Sequence, residues 1–174
     1  FVDIQFVLQH LEEALGHGLV EHEARGTSAL ALLQYALHLA DVAVGARIFS
    51  TAKGRRTPTF GIGLGGVAGY KLQVAPGKKA LELLKDQEVK TTVPFDWQSG
   101  VWTQLRLEIR KVKAGEWKIQ GKAWPQGSAE PKEWMVAVGE TEEPVGGRPS
   151  VLGSPFAGTA IWYDDLRVER VGEK

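Results

Sequence analysis

Between Val101 and Val112 the side chains change character at every second position. Leu105, Leu107 and Ile109 face one way, while Arg106, Glu108 and Arg110 face the other. A period of two belongs to a strand in a sheet with two different faces. The following run repeats the pattern: Trp117, Ile119, Gly121 and Ala123 form the apolar side, opposed by Lys118, Gln120, Lys122 and Trp124. Ala114-Gly115 between the runs predicts a hairpin turn.

From Asp41 onward the rest of the chain reads the same way, as short runs of β-branched and aromatic residues punctuated by glycine and proline. Val42 to Ile48, Phe60 to Leu64 and Tyr70 to Val74 alternate, and Ala75-Pro76-Gly77 turns the chain. Later strands are expected around Trp134 to Val138, Ser150 to Gly153 and Thr159 to Arg170. Roughly eight to twelve strands at such spacing predict an all-β sandwich or barrel. In the first forty residues, Val2 to Leu8 reads as a strand followed by a short helix, and Ser28 to Ala40 as further strand. The length of 174 residues predicts a single domain spanning 1–174.

Composition removes several functions. The 21 basic residues balance the 21 acidic ones, so no overall field favours nucleic acid as a partner. Zero cysteines exclude a disulfide framework, a thiolate nucleophile and a thiolate metal site. The sequence contains no asparagine, hence no N-glycosylation sequon, and it begins at Phe1, as a processed or excised chain would. The richest apolar stretch, Ala29 to Phe49, is interrupted by Gln34, His38, Asp41 and Arg47, so no transmembrane segment is expected. The stretch from Gly139 to Pro149 reads as a polar loop.

Three segments carry a family resemblance: Trp102-Thr-Gln-Leu-Arg-Leu-Glu-Ile-Arg110, Gly121-Lys-Ala-Trp-Pro-Gln-Gly127 with Glu130-Pro-Lys-Glu-Trp134, and Ile161-Trp-Tyr-Asp-Asp-Leu-Arg-Val168. Over roughly 41–171 the chain resembles the laminin-G/concanavalin A-like jelly rolls of bacterial exported proteins, and is similar to the sandwich domains classed with 3-keto-disaccharide hydrolases. The resemblance implies a two-sheet antiparallel jelly roll and export to the periplasm or beyond. It also implies a closing strand, Thr159 to Arg170, lying against Val2 to Leu8. It places a binding surface on a concave sheet carrying Arg106, Glu108, Arg110, Lys118, Gln120, Lys122 and Trp124. Sugars suit such a surface, because their C–H faces stack on aromatic rings and their hydroxyls bond to arginine and carboxylate. Trp124 and Trp134 are the expected platforms, and Trp97, Trp102, Trp117 and Trp162 are expected in core or strand-end packing. The same charges also suit a solvated face of cross-strand pairs with no ligand. Asp164 matches the position of an aspartate that helps bind a structural calcium in related sandwiches, with Asp3 as helper; it could equally cap a turn or pair with Arg167.

Catalysis finds little support. The Glu-x-Asp-x-Glu strand motif of lectin-like glucanases is absent, and Glu108 between two arginines suits an ion pair better than a general acid. Glu82, Asp86 and Glu88 read as a solvated edge, with Leu83-Leu84-Lys85 a strand end and turn. Gly61-Ile-Gly-Leu-Gly-Gly66 satisfies a dinucleotide-binding pattern, but Tyr70 to Val74 after it is a strand, so close backbone packing explains it better. Lys53-Gly-Arg-Arg56 reads as a solvated turn. His10, His17 and His22 lack metal-ligand spacing, and His38 within an apolar run reads as a hydrogen-bonded, semi-buried residue. The expected function is a non-catalytic carbohydrate or glycoconjugate binder. Its alternatives are an accessory subunit docking into a larger protein complex and a glycoside-cleaving enzyme.

Overall fold

The computed structural model describes residues 41–156 and 158–171. They form the expected antiparallel jelly-roll sandwich of two five-stranded sheets. The strands are β1 (Val42–Phe49), β2 (Thr59–Leu64), β3 (Tyr70–Ala75), β4 (Ala80–Lys85), β5 (Glu88–Pro94), β6 (Thr103–Lys113), β7 (Glu116–Pro125), β8 (Val136–Glu140), β9 (Ser150–Ser154) and β10 (Trp162–Arg170). The first sheet has the order β10-β1-β6-β7-β8 and the second β5-β4-β3-β2-β9. Pro76, whose fixed φ suits the first position of a tight turn, opens a short 3-10 segment, Pro76–Lys78, between β3 and β4. The closing strand β10 pairs with β1, Val42 opposite Arg170. Val2 to Leu8, Ser28 to Ala40, the four histidines and Asp3 lie outside the described residues.

The period of two sets the layers. Leu105, Leu107 and Ile109 of β6 and Ile119 of β7 meet Phe60, Ile62, Leu72, Val74, Leu81 and Leu83 of the second sheet in one apolar core. Ala114-Gly115 forms the β6–β7 hairpin, Gly115 taking the left-handed conformation (φ 72°) that a tight turn demands. Gly121 lets the two sheets close: a Cβ there would sit 2.6 Å from Leu72 Cδ1, a side chain with no exposed surface.

Leu83-Leu84-Lys85 is the end of β4, as expected, and the turn into β5 follows it at Asp86 and Gln87. Glu82, expected on a solvated edge, is instead only 4% exposed. Its carboxylate accepts hydrogen bonds from Gln73 Nε2 (3.0 Å) and Lys78 Nζ (2.8 Å), which satisfy a charge that a bare strand face would have to keep in water. The glycine-rich run Gly61 to Gly66 lies on β2 and the turn after it, and a Cβ on Gly61 would collide with the Leu72 carbonyl of β3. Lys53 and Arg56 exchange backbone hydrogen bonds of 3.0 and 3.2 Å across an exposed turn. Among the described residues no helix is long and apolar enough to cross a membrane.

Contacts between the sheets clamp both sides of the sandwich. On one side the Tyr163 hydroxyl of β10 donates to the Leu152 carbonyl of β9 at 3.0 Å, and burial pushes its pKa up to about 12. Gly153 leaves room for that ring. On the other side Lys85 Nζ of β4 lies 3.2 Å from Glu140 Oε2 of β8 and 5.6 Å from the centre of the Tyr70 ring. Burial opposes ionisation of Glu140. The nearby Tyr70 hydroxyl, the Lys85 ion pair and the attraction of Lys90 outweigh it, so its carboxyl is held below the usual range.

Two outcomes follow from this packing. Gly121→Ala forces a methyl group into Leu72 and should lower stability by about 1–3 kcal/mol in urea unfolding; an unchanged midpoint would mean the sheets are not packed this closely. Because the folded-state pKa of Glu140 is depressed, its stabilisation is complete above the unfolded value near 4.5 and is lost as pH falls through the folded value. Thermal melts of Glu140→Gln should therefore show a shallower acid limb than the parent, with the difference between the two proteins shrinking below pH 4.

Candidate functional site

The outer face of the first sheet collects the charged side chains in rows across the strands. One row runs Asp164, Arg47, Gln104, Trp124 across β10, β1, β6 and β7. The next runs Arg167, Gly45, Arg106, Lys122, and the third Glu169, Ala43, Glu108, Gln120. Arg110 stands opposite Lys118 at the hairpin end. All seven residues expected on one strand face of β6 and β7 thus do share a face. They do not all present open surface.

Glu108 is 3% exposed, and its Oε1 accepts from Arg110 Nε and Gln120 Nε2, both at 3.1 Å. The Gln120 Oε1 is buried without a partner. Lys122 is locked: its Nζ donates to the Pro131 carbonyl (2.8 Å), pairs with Glu130 Oε1 (2.8 Å) and lies 4.7 Å from the centre of the Trp134 ring. This ammonium fastens the segment 130–134 to the sheet and takes up one face of Trp134. Trp124 is 4% exposed. Trp124 is therefore buried, and Trp134 is partly exposed with one face taken by Lys122. Trp117 does lie in the core, and Trp97, half-buried, packs edge-on to Phe60 with ring centres 6.1 Å apart.

Trp162, expected in packing, is instead an open aromatic ring on this face, 62% exposed. It faces outward because its neighbour Tyr163 pairs with Ile48 and points into the core, which leaves Trp162 beside Phe49 on the outer face. Phe49 in turn contacts Trp102 (ring centres 5.4 Å apart), and the Arg47 guanidinium stacks over Trp102 at 5.0 Å. A bulge completes this end of the face. Between Gly45 and Arg47 on β1, strand β10 carries one residue more, and Asp165 there takes a left-handed conformation (φ 51°). Both consecutive aspartates consequently reach one guanidinium, Asp164 Oδ2 at 2.6 Å from Nη2 and Asp165 Oδ2 at 3.0 Å from Nε. The hydrogen bond that Arg47 donates to Asp164, with the attraction of both carboxylates, raises the Arg47 pKa against the opposing effect of desolvation.

That pairing bears on calcium. Asp164 Oδ1 also accepts the backbone N–H of Asp165 at 2.8 Å. Arg47, rather than Arg167, is thus its ion-pair partner, and a cation already occupies the carboxylates that a metal would need. Calcium takes six to eight oxygens, and among the described residues no group of three or more acidic, histidine or cysteine side chains could hold one.

A carboxylate pair is present on the same face. Glu108 and Glu169 bracket Ala43 from β6 and β10, and each is engaged by an arginine: Arg110 on Glu108 (3.1 Å), Arg106 on Glu169 (2.8 Å). A cleft of about 380 Å³ opens near Lys118, lined by Val112, Trp117, Ala137 and Gly139. Its two carboxylates, Glu116 and Glu140, are paired with Lys113 (2.9 Å) and Lys85 (3.2 Å). Neither place offers an unengaged acid and base facing each other.

No family model matches the chain, and no curated protein matches it. Among solved structures it resembles chicken galectin 2 at 10% identity, with 74% of this chain and 89% of that one covered and a TM-score of 0.40. It also resembles the catalytic domain of a glycoside hydrolase family 131 protein from Coprinopsis cinerea, at 14% identity and a TM-score of 0.43, covering 77% of this chain and 58% of that one. A family 131 β-glucanase catalytic domain from Podospora anserina is similar at 15% identity and a TM-score of 0.40, covering 79% of this chain and 61% of that one.

The Arg47 cluster makes a prediction about metal. Addition of EDTA should leave the thermal midpoint unchanged, whereas Arg47→Ala should lower it; a midpoint that falls on chelation would place a cation at Asp164 after all.

Proposed function

We propose that this chain is a non-catalytic carbohydrate-binding β-sandwich, exported to the periplasm or beyond, whose ligand lies on the outer face of the first sheet at its Trp162 end. The single observation that carries the reading is the exposed indole of Trp162 on the same face as the Arg47–Asp164–Asp165 cluster. An aromatic ring this exposed costs hydration free energy unless something covers it. A sugar does so through its C–H face, while neighbouring guanidinium and carboxylate groups bond its hydroxyls. The likeness of 41–171 to laminin-G/concanavalin-like modules, including those classed with 3-keto-disaccharide hydrolases, agrees with a sugar ligand and is the basis for export. The engagement of Glu108 and Glu169 by arginines favours binding over hydrolysis.

One observation favours a second reading, docking into a larger protein assembly. Phe156, 69% exposed, lies in the segment leading into β10, so two large aromatic side chains project from neighbouring parts of the chain. Exposed aromatic anchors are what protein interfaces bury.

Glycan-array and calorimetric binding separate the two. Trp162→Ala should weaken glycan binding about tenfold or more with an unchanged melting temperature. Trp124→Ala, by contrast, should act mainly by destabilising the fold, about 3 kcal/mol or more. Binding that survives Trp162→Ala would remove this end of the face from the account, and absence of glycan binding with stoichiometric copurification of a protein partner would favour docking.

A further inference from the structure

Two arginines meet across a residue that has no side chain. In the second row, Arg167 of β10 and Arg106 of β6 flank Gly45 of β1 on either side. The Arg167 side chain lies down over the glycine: a Cβ on Gly45 would fall 3.1 Å from Arg167 Nε and 3.4 Å from its Cγ. A methyl group at position 45 would make the Arg167 side chain give way by a few tenths of an ångström. The two cations sit two strand spacings apart, about 10 Å between backbones, a separation that long arginine side chains easily close.

What holds them together is a carboxylate. Glu169 places Oε2 2.8 Å from Arg106 Nη1 and Oε1 3.7 Å from Arg167 Nε. Glu169 itself is 43% exposed, and Arg167 is 51% exposed, so the bridge is open to solvent and can be exchanged. The neighbouring cations differ. Arg47 is held by two aspartates, and Lys122 is buried under Trp134, Glu130 and Pro131. Arg110 is paired with Glu108, a carboxylate only 4% exposed and also bonded to Gln120, so the Arg106–Arg167 pair offers an incoming anion a contact whose present holder is itself in solvent.

Building on the carbohydrate reading, we propose that the ligand is an acidic glycan, and that a uronate carboxylate seats between Arg106 and Arg167 over Gly45 by displacing Glu169. The internal carboxylate is the template: it shows that a planar two-oxygen anion at this place hydrogen-bonds Arg106 and lies within ion-pair distance of Arg167 at the same time. Glu169 then acts as a built-in competitor. It keeps the two cations paired while the face is empty and weakens binding by the strength of the bridge it must give up.

Calorimetric titration with uronate oligosaccharides (galacturonate, guluronate and glucuronate series), neutral oligosaccharides of equal length and sulfated counterparts tests this. Arg167→Gln should weaken uronate binding about tenfold. Glu169→Gln should strengthen uronate binding several-fold and leave neutral sugars unaffected, an effect of opposite sign that misfolding would not produce. Arg55→Gln, in the exposed 53–56 turn, should change neither. Neutral sugars bound as tightly as uronates, with Arg167→Gln silent, would overturn the acidic-ligand inference while leaving carbohydrate binding intact. Preference for sulfated over uronate ligands would overturn the carboxylate assignment, and equal losses in Arg55→Gln would reduce the effect to bulk charge. Absence of binding to any of the three classes would overturn this inference and the reading beneath it.

Discussion

A side chain on β6 or β7 can point only into the sandwich or out of it, and every other property of the charged face rests on that binary choice. Because Leu105, Leu107 and Ile109 take the inner direction, Arg106, Glu108 and Arg110 are committed to the outer one. The pairing of β1 between β6 and β10 then brings Arg106 and Glu108 into line with Gly45 and Ala43, and beyond them Arg167 and Glu169. A shift of one residue in either pairing would separate these rows and turn the arginines inward, at the cost of burying charge in an apolar core. The core thus fixes the register, and the register assembles the surface.

The face so built is largely satisfied from within, and two of its open features bear on ligand binding. Glu108 spends its charge on Arg110 and Gln120, Lys122 on the segment that carries Trp134, and Arg47 on two aspartates. These contacts preorganise the floor, since each ordered side chain loses its rotamer freedom on folding rather than on binding. Those two features are Trp162, an apolar ring in water, and the exchangeable Glu169 bridge. Both lie on β10, an edge strand among the described residues, where a ligand can approach from above and from the side.

The fold was legible from residues 101–124 onward because an uninterrupted period of two leaves one assignment of faces. It was less legible where that period breaks. In β4, Leu83 and Leu84 are adjacent and both buried, since the register with β5 shifts between them, so alternation alone does not assign their faces. Glu82 looks like a solvent residue until Gln73 and Lys78 are brought beside it by the β3–β4 pairing and the Pro76 turn. The candidate site was legible in part, for related reasons. The seven residues on β6 and β7 share one face as alternation requires, but their exposure depends on neighbours far away in the chain. Trp162 and Tyr163 are adjacent aromatics, and only the pairing with Phe49 and Ile48 determines which one reaches solvent. The bulge that gives Arg47 two aspartates is likewise a property of the β1–β10 pairing, hinted at in the sequence only by the doublet Asp164-Asp165.

Backbone and indole N–H chemical shifts, followed by NMR during titration with a uronate oligosaccharide, test the central claim most directly. The account predicts shifts confined to β10, β1 and β6, with the Trp162 indole moving most and the Trp117 indole, in the core, staying still. Shifts centred on the second sheet, or a Trp162 indole that does not respond to a ligand that binds, would contradict it.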